Sequence, residues 1–289
     1  GAYAAGGVPL ADGYADYFNL INERDGGVNG VKFVVEECET GYKTDRGVEC
    51  YDRTKDGATV YSPWSTGITY ALIDKATADK TPILSMGYGR TSAADGRVFP
   101  YVFNFPATYW NQATSIIQQI GNEVGGVKKL AGKRIGYIYL DHPYGKEPIP
   151  TLDILSEKYG FLVDKYPVAP ASMTEQKSIW LQIRKTKPDY VVMWGWGAMN
   201  STAVKEATNI RFDMSKFIGN WWSADESAAS PSASMASTEN SSKTRSLRSS
   251  SLSPSPNDTA GSSSTSASAV STSVSSNCSS LSAVLSSAK

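Results

Sequence analysis

Histidine, net charge and long apolar runs are all scarce in this sequence of 289 residues. It contains one histidine, His142, and equal numbers of basic and acidic residues, 28 of each. A zinc site built on two or three histidines is therefore disfavoured, and so is the basic surface that nucleic-acid binding requires. No run of 18 apolar residues is present, so we expect no transmembrane helix. The composition indicates a near-neutral, aromatic-rich α/β protein without a cofactor, a metal or a nucleic-acid partner.

Aromatic residues are missing from the last part of the chain. None occurs after Trp222, and serine supplies 27 of the 63 residues in 227–289. Such a segment has too little apolar surface to offset the entropy of ordering its backbone, so we expect it to be disordered. Two interpretations remain open, a natural serine-rich tail or a reading-frame error. We favour the frame error because the fold pattern before it stops unfinished.

Before this change, predicted strands and helices alternate along the chain. Strands are expected at 31–36, 58–61, 82–86, 134–140, 161–166, 190–194 and 216–221. Alternation with short connections is typical of a parallel, doubly wound sheet. The segment 98–106, rich in aromatics and proline, predicts a connection between two such sheets. We therefore expect a first lobe over residues 1–106 and a second lobe over 107–226.

The carboxyl ends of the predicted strands carry glycine, hydroxyl and aromatic residues. Ligands of open parallel sheets bind beyond these ends, which makes the following residues candidates: Ser65, Thr66, Gly87, Tyr88, Gly89, Tyr144, Trp196, Gly197 and Trp221. Ser65 and Thr66 directly precede a predicted helix, where a hydroxyl and free N–H groups suit a carboxylate or another anion. The same pair also suits an ordinary helix cap, and the glycine pairs suit ordinary turns.

Signals for catalysis are poor. Gly87-x-Gly89 and Gly195-x-Gly197 lack the third glycine and the following acidic residue of a dinucleotide-binding fingerprint. No G-x-S-x-G nucleophile elbow is present, and His142 is the only histidine that could serve as a base. We therefore expect no enzyme.

Cys38 and Cys50 close a short loop between a predicted strand and the next helix. In an oxidising compartment a bridge between them would stabilise the fold by about 3 kcal/mol. Two buried free thiols in a cytosolic protein are the alternative. Cys278 falls in the serine-rich segment and has no evident partner.

Several segments resemble the periplasmic leucine/isoleucine/valine-binding proteins of ABC importers. They are the opening 1–7, the helix end 22–30, Glu37-Cys38, Ser65-Thr66, Ser85-Met86-Gly87, Tyr144-Gly145 and Phe217-Ile218-Gly219. The resemblance covers about residues 1–226. It implies the type I periplasmic-binding fold, with two Rossmann-like lobes that close on a ligand. It also implies a monomeric, periplasmic solute-binding component that captures an amino acid or a small amide or aromatic carboxylate, with membrane permease subunits as partners. A ligand-sensing domain of a regulator or receptor with the same fold is the alternative.

The resemblance also implies roles for the candidate residues. Ser65 and Thr66 would hold a ligand carboxylate together with the backbone around Gly87 and Gly89. Tyr144 would close over the ligand from the second lobe, with Trp196 or Gly197 at a further contact.

In one place the sequence departs from the amino-acid-binding members. They carry an acidic residue near the end of the strand predicted at 216–221, whereas this sequence has no carboxylate before Asp225. We therefore favour a carboxylate or amide ligand with a flat or apolar body, stacked among Tyr88, Trp196 and Trp221.

The resemblance has two further gaps. The chain begins after the family's first strand and export signal, and it loses the family pattern after Glu226. We therefore expect an incomplete first sheet, incomplete folding and weak binding.

Overall fold

The computed structural model describes residues 3–224 and the backbone of a strand at 281–287. The helices are α1 (Ala4–Asp25), α2 (Thr44–Thr54), α3 (Thr66–Asp79), α4 (Tyr109–Glu123), α5 (Pro143–Lys146), α6 (Ile149–Tyr159), α7 (Lys177–Thr186) and α8 (Ala198–Asn209). The strands are β1 (Phe33–Glu39), β2 (Val60–Pro63), β3 (Ile83–Ser85), β4 (Val102–Asn104), β5 (Arg134–Leu140), β6 (Leu162–Val168), β7 (Tyr190–Trp194), β8 (Phe217–Gly219) and β9 (Leu281–Ser287).

The first sheet has the strand order β1-β9-β2-β3-β4. The pairs β2–β3 and β3–β4 are parallel, whereas β9 runs antiparallel to both β1 and β2. The expected gap in this sheet is therefore occupied by residues 281–287. Those seven residues differ from the disorder expected over 227–289, and the remainder of that segment, with Cys278, lies outside the described residues.

The second sheet has the order β6-β5-β7-β8, and all of its pairs are parallel. Strands β5 and β7 have the bounds that the sequence predicted. They are fully buried along most of their length because helices cover both faces, which explains their continuous apolar composition. Together with the first sheet, this confirms the predicted α/β fold, and the lobe bounds 1–106 and 107–226 stay a prediction.

The connection between the lobes differs from its prediction in one respect. Residues 98–106 include β4, which is an edge strand of the first sheet. The chain then passes to α4, which begins at a cap where the Thr108 hydroxyl accepts a hydrogen bond from the Asn111 N–H at 3.3 Å. Helix α4 buries Ala113, Ile117 and Ile120 on one face, so it attaches firmly to the second lobe.

Two further sequence predictions concern the disulfide and the end of the last predicted strand. The predicted Cys38–Cys50 disulfide is present and joins β1 to α2. The last predicted strand ends early, because β8 stops at Gly219 and Trp221 lies in a turn. None of the described helices has the length and apolarity to cross a bilayer.

Candidate ligand-binding cleft

A narrow pocket with about 30 Å³ of free space lies where the two lobes meet. Seven of its ten lining side chains are aromatic. The lining residues are Gly7, Leu10, Tyr42, Trp64, Ser65 and Tyr88 from the first lobe, Tyr144, Trp196 and Trp222 from the second, and Tyr109 at the start of α4. The apolar, aromatic lining is typical of small-molecule sites. The free space itself holds little more than a water molecule, so a ligand can enter only if the lobes move apart.

The N-terminus of α3 faces this pocket through Ser65. The Ser65 hydroxyl caps the helix and accepts a hydrogen bond from the Ile68 N–H at 3.5 Å. The predicted residue Thr66 follows it and does not line the pocket. Its buried hydroxyl has no well-aligned hydrogen bond, but it lies close enough to the Tyr109 hydroxyl to lower the pKa of that phenol against the larger effect of burial. A buried hydroxyl without a well-aligned hydrogen bond costs free energy, so this hydroxyl would gain by turning to a ligand atom when the pocket widens.

Tyr144 brings its ring into the pocket and commits its hydroxyl to the second lobe. The hydroxyl donates to the Gly195 carbonyl at 2.9 Å and accepts from the Asn220 side-chain amide at 2.7 Å. The Ser223 hydroxyl donates to the Asn220 side-chain oxygen at 2.7 Å and completes the network. Because these hydrogen bonds fix the ring, Tyr144 offers a ligand a rigid aromatic surface.

Tryptophan rings form the second-lobe wall of the pocket. Trp196 and Trp222 pack edge to face with ring centres 5.5 Å apart, and the Trp222 indole N–H donates to the Tyr109 hydroxyl at 3.1 Å. The predicted contact Trp221 does not line the pocket. Its ring packs on Tyr109, with ring centres 5.7 Å apart, and its neighbour Trp222 occupies the lining position instead.

Predicted glycines lie around the pocket but not in its lining. Gly87 has a left-handed backbone with φ of 75° and lies under the Trp221 ring. The Asn104 side chain closely approaches Gly89. Gly197, with φ of 64°, directly precedes α8 and also lies outside the lining.

The pocket carries no formal charge at neutral pH. None of the lining side chains is acidic or basic, and burial raises the pKa of Tyr88, Tyr109 and Tyr144 well above the usual range of a phenol. His142 lies beside Tyr42. Burial, with a smaller effect of Lys146, lowers the pKa of His142 to about 4. In the described part of the chain, no group of three potential ligands is placed to hold a metal ion.

Of the predicted site residues, Ser65, Tyr88, Tyr144 and Trp196 meet in one pocket. Sequence reasoning missed the other lining residues, which are Gly7, Leu10, Tyr42, Trp64, Tyr109 and Trp222. Trp64 and Trp222 each stand next to a predicted residue, so their neighbourhood was a usable signal. Tyr42 lies on a connection whose path the pattern does not specify, and Tyr109 is the first residue of α4, whose place between the lobes the pattern does not specify either.

Two α/β lobes with an uncharged aromatic pocket between them have the architecture of a small-molecule-binding cleft. Comparison with known proteins places the chain more closely. Residues 1–242 match the model of the periplasmic binding protein family, and the chain belongs to this family. The family consists of substrate-binding proteins of ABC transporters and not of enzymes. Membership in it implies a location outside the cytoplasm.

Similar solved structures include one from the Pseudomonas fluorescens group, described as an ABC transporter permease. It is 41% identical, with a TM-score of 0.69, over 79% of this chain and 56% of that one. A branched-chain amino acid ABC transporter protein from Thermus thermophilus with bound valine shares the fold at 14% identity and a TM-score of 0.63, over 79% of this chain and 58% of that one. A solute-binding protein from R. palustris in complex with benzoate also shares the fold. It is 16% identical, with a TM-score of 0.55, over 65% of this chain and 51% of that one.

This chain therefore spans between 51% and 58% of the length of these structures. No match was found among curated protein sequences.

Proposed function

We propose that this protein is the extracytoplasmic solute-binding component of an ABC importer and captures a small aromatic carboxylate or amide. The observation that carries this proposal is the pocket between the lobes, which has seven aromatic side chains and no charged one. Aromatic side chains supply stacking surface for a flat ligand, and each such contact adds about 0.5–1.5 kcal/mol beyond area burial. The ligand would then be delivered to membrane permease subunits.

The polar part of the ligand has a natural place at α3. The hydroxyl of Thr66 lies just behind the lining without a well-aligned hydrogen bond, and the first N–H groups of a helix attract a carboxylate or a carbonyl oxygen. An α-amino acid would also bring an ammonium group, and no lining residue is an acid that could pair with it. Burying that ammonium without a carboxylate is costly, so the pocket favours ligands that lack it. The benzoate complex of the R. palustris protein is consistent with this ligand class, whereas the bound valine of the Thermus protein represents the class we disfavour.

Calorimetric titration with benzoate, benzamide, L-phenylalanine and L-valine tests the proposal. Benzoate and benzamide differ only in the head group, and L-phenylalanine adds the ammonium to an aromatic body. We expect benzoate or benzamide to bind most tightly. Binding of valine or phenylalanine in preference to both, or of none of the four, would refute the ligand class.

A pair of variants tests the place of the head group. Thr66→Ala removes this hydroxyl, and we expect the affinity for the best ligand to fall about twofold to twelvefold, the equivalent of one hydrogen bond. Thr66→Ser keeps the hydroxyl and is the matched control, with an affinity close to that of the unmodified protein. Equal affinities of the two variants would place the head group elsewhere.

A further inference from the structure

Three glycines of the first lobe lie directly under rings carried by the second lobe. A Cβ atom on Gly6 would lie 2.6 Å from the Trp196 ring, and one on Gly87 would lie 2.5 Å from the Trp221 ring. A Cβ atom on Gly67 would lie 3.3 Å from the His142 ring. The two lobes therefore approach each other at positions where the first lobe has no side chain.

Gly6 is the position where only this approach explains the glycine. It lies inside α1, and its φ is not in the left-handed region, so its backbone does not require glycine. Glycine inside a helix is less stable than alanine because it loses more conformational freedom. Gly87, in contrast, has a left-handed φ of 75° and would require glycine without any neighbour.

The ring that lies on Gly6 is also a wall of the pocket. Trp196 lines the pocket and packs edge to face on Trp222. It lies between β7, which ends at Trp194, and α8, which begins at Ala198, so a short connection ties it to the second lobe. The ring can occupy its place over the pocket only if the first lobe leaves room for it.

We propose that Gly6 is a closure notch, a vacant place on α1 that receives the Trp196 ring when the lobes close and so sets the affinity of the cleft. This inference rests on the proposed function as a cleft-binding protein. A methyl group at residue 6 would overpack the contact. Since Trp196 is a wall of the pocket, the closed form and the bound ligand would lose stability together.

The test compares Gly6→Ala with Gly13→Ala in the full chain. Gly13 lies in the same helix with nothing within 4 Å of its Cβ position, so its substitution brings the same gain in helix propensity without the contact. We expect neither variant to melt at a lower temperature than the unmodified protein. We expect Gly6→Ala to weaken binding of the best compound of the titration about tenfold or more, and Gly13→Ala to leave it unchanged.

Small-angle X-ray scattering gives a second readout that needs no identified ligand. We expect a larger radius of gyration for Gly6→Ala than for Gly13→Ala. When Trp196→Leu is combined with Gly6→Ala, we expect the radius of gyration to fall back to the value of Gly13→Ala. Scattering and affinity that are the same for Gly6→Ala and Gly13→Ala would overturn the notch. If the unmodified protein binds none of the four compounds, the ligand class fails, and the scattering comparison still decides on the notch.

Discussion

We predict that acid opens the cleft, because protonation of His142 weakens a contact between the lobes. Its ring packs on Tyr42 across the lobes, with ring centres 4.8 Å apart, and lies against Gly67 near the N-terminus of α3. Its Nδ1 accepts a hydrogen bond from the Tyr144 N–H at 3.3 Å, which requires a neutral nitrogen. Protonation would remove this acceptor and place a positive charge at the positive end of a helix dipole and near Lys146.

The magnitude follows from the pKa of His142. Burial where the two lobes meet, and then Lys146, lower this pKa from 6.5 to about 4. Because the closed form disfavours the proton, its stabilisation by neutral His142 is complete above pH 6.5 and is lost as the pH falls towards 4. The full shift corresponds to about 3 kcal/mol. If all of it arises on closure, the affinity at pH 5 is about 20-fold below that at pH 7.

Calorimetric titration between pH 7.5 and 4.5 measures this effect, with His142→Gln as the comparison. Glu147 acts with the opposite sign. Burial raises its pKa despite the hydrogen bond from the Thr91 N–H, so proton uptake there favours closure. The difference between the unmodified protein and His142→Gln isolates the histidine. If the two proteins lose affinity in parallel on acidification, His142 does not control opening.

Two further predictions concern the contact between the lobes and the disulfide. The Thr91 N–H donates to the Glu147 carboxylate at 2.7 Å across the lobes, so Glu147→Ala should weaken ligand binding by about 1–2 kcal/mol, whereas Glu147→Gln, which keeps an acceptor oxygen, should lose less. Calorimetry at pH 7 measures both affinities. An affinity of Glu147→Ala equal to that of the unmodified protein would show that the bond does not contribute to closure. Replacing Cys38 and Cys50 by serine should lower the free energy of unfolding by about 3 kcal/mol, measured by urea denaturation, and identical midpoints would contradict this expectation.

The sequence predicts the parts of the fold that local pattern controls. Strands β5 and β7 match their predictions because both are buried on both faces, and a continuous apolar run bounded by polar residues marks such strands clearly. The place of β9 could not be predicted. It pairs with β1 and β2 across more than 200 residues of sequence, and composition carries no information on such a distant partner.

The candidate site was predicted in outline because ligands gather at the carboxyl ends of parallel strands. Which neighbouring residues line the pocket depended on the direction of their side chains. Trp221 and Trp222 are adjacent, and the strand expected at 216–221 ends at Gly219. The turn that follows brings Trp222 to the pocket and Trp221 to Tyr109 and Gly87. The direction of a side chain in a turn depends on backbone angles that residue type alone does not determine.

The crowding of indole rings at the cleft makes the protein its own optical probe. Trp64, Trp196 and Trp222 line the pocket, and Trp221 packs behind it. Indole emission depends on the polarity and packing around the ring, so a ligand that enters or a lobe that moves changes several emitters at once. The tyrosines in the same pocket can pass excitation to them. Ligand capture by this protein should therefore be visible in its intrinsic fluorescence, without any attached dye.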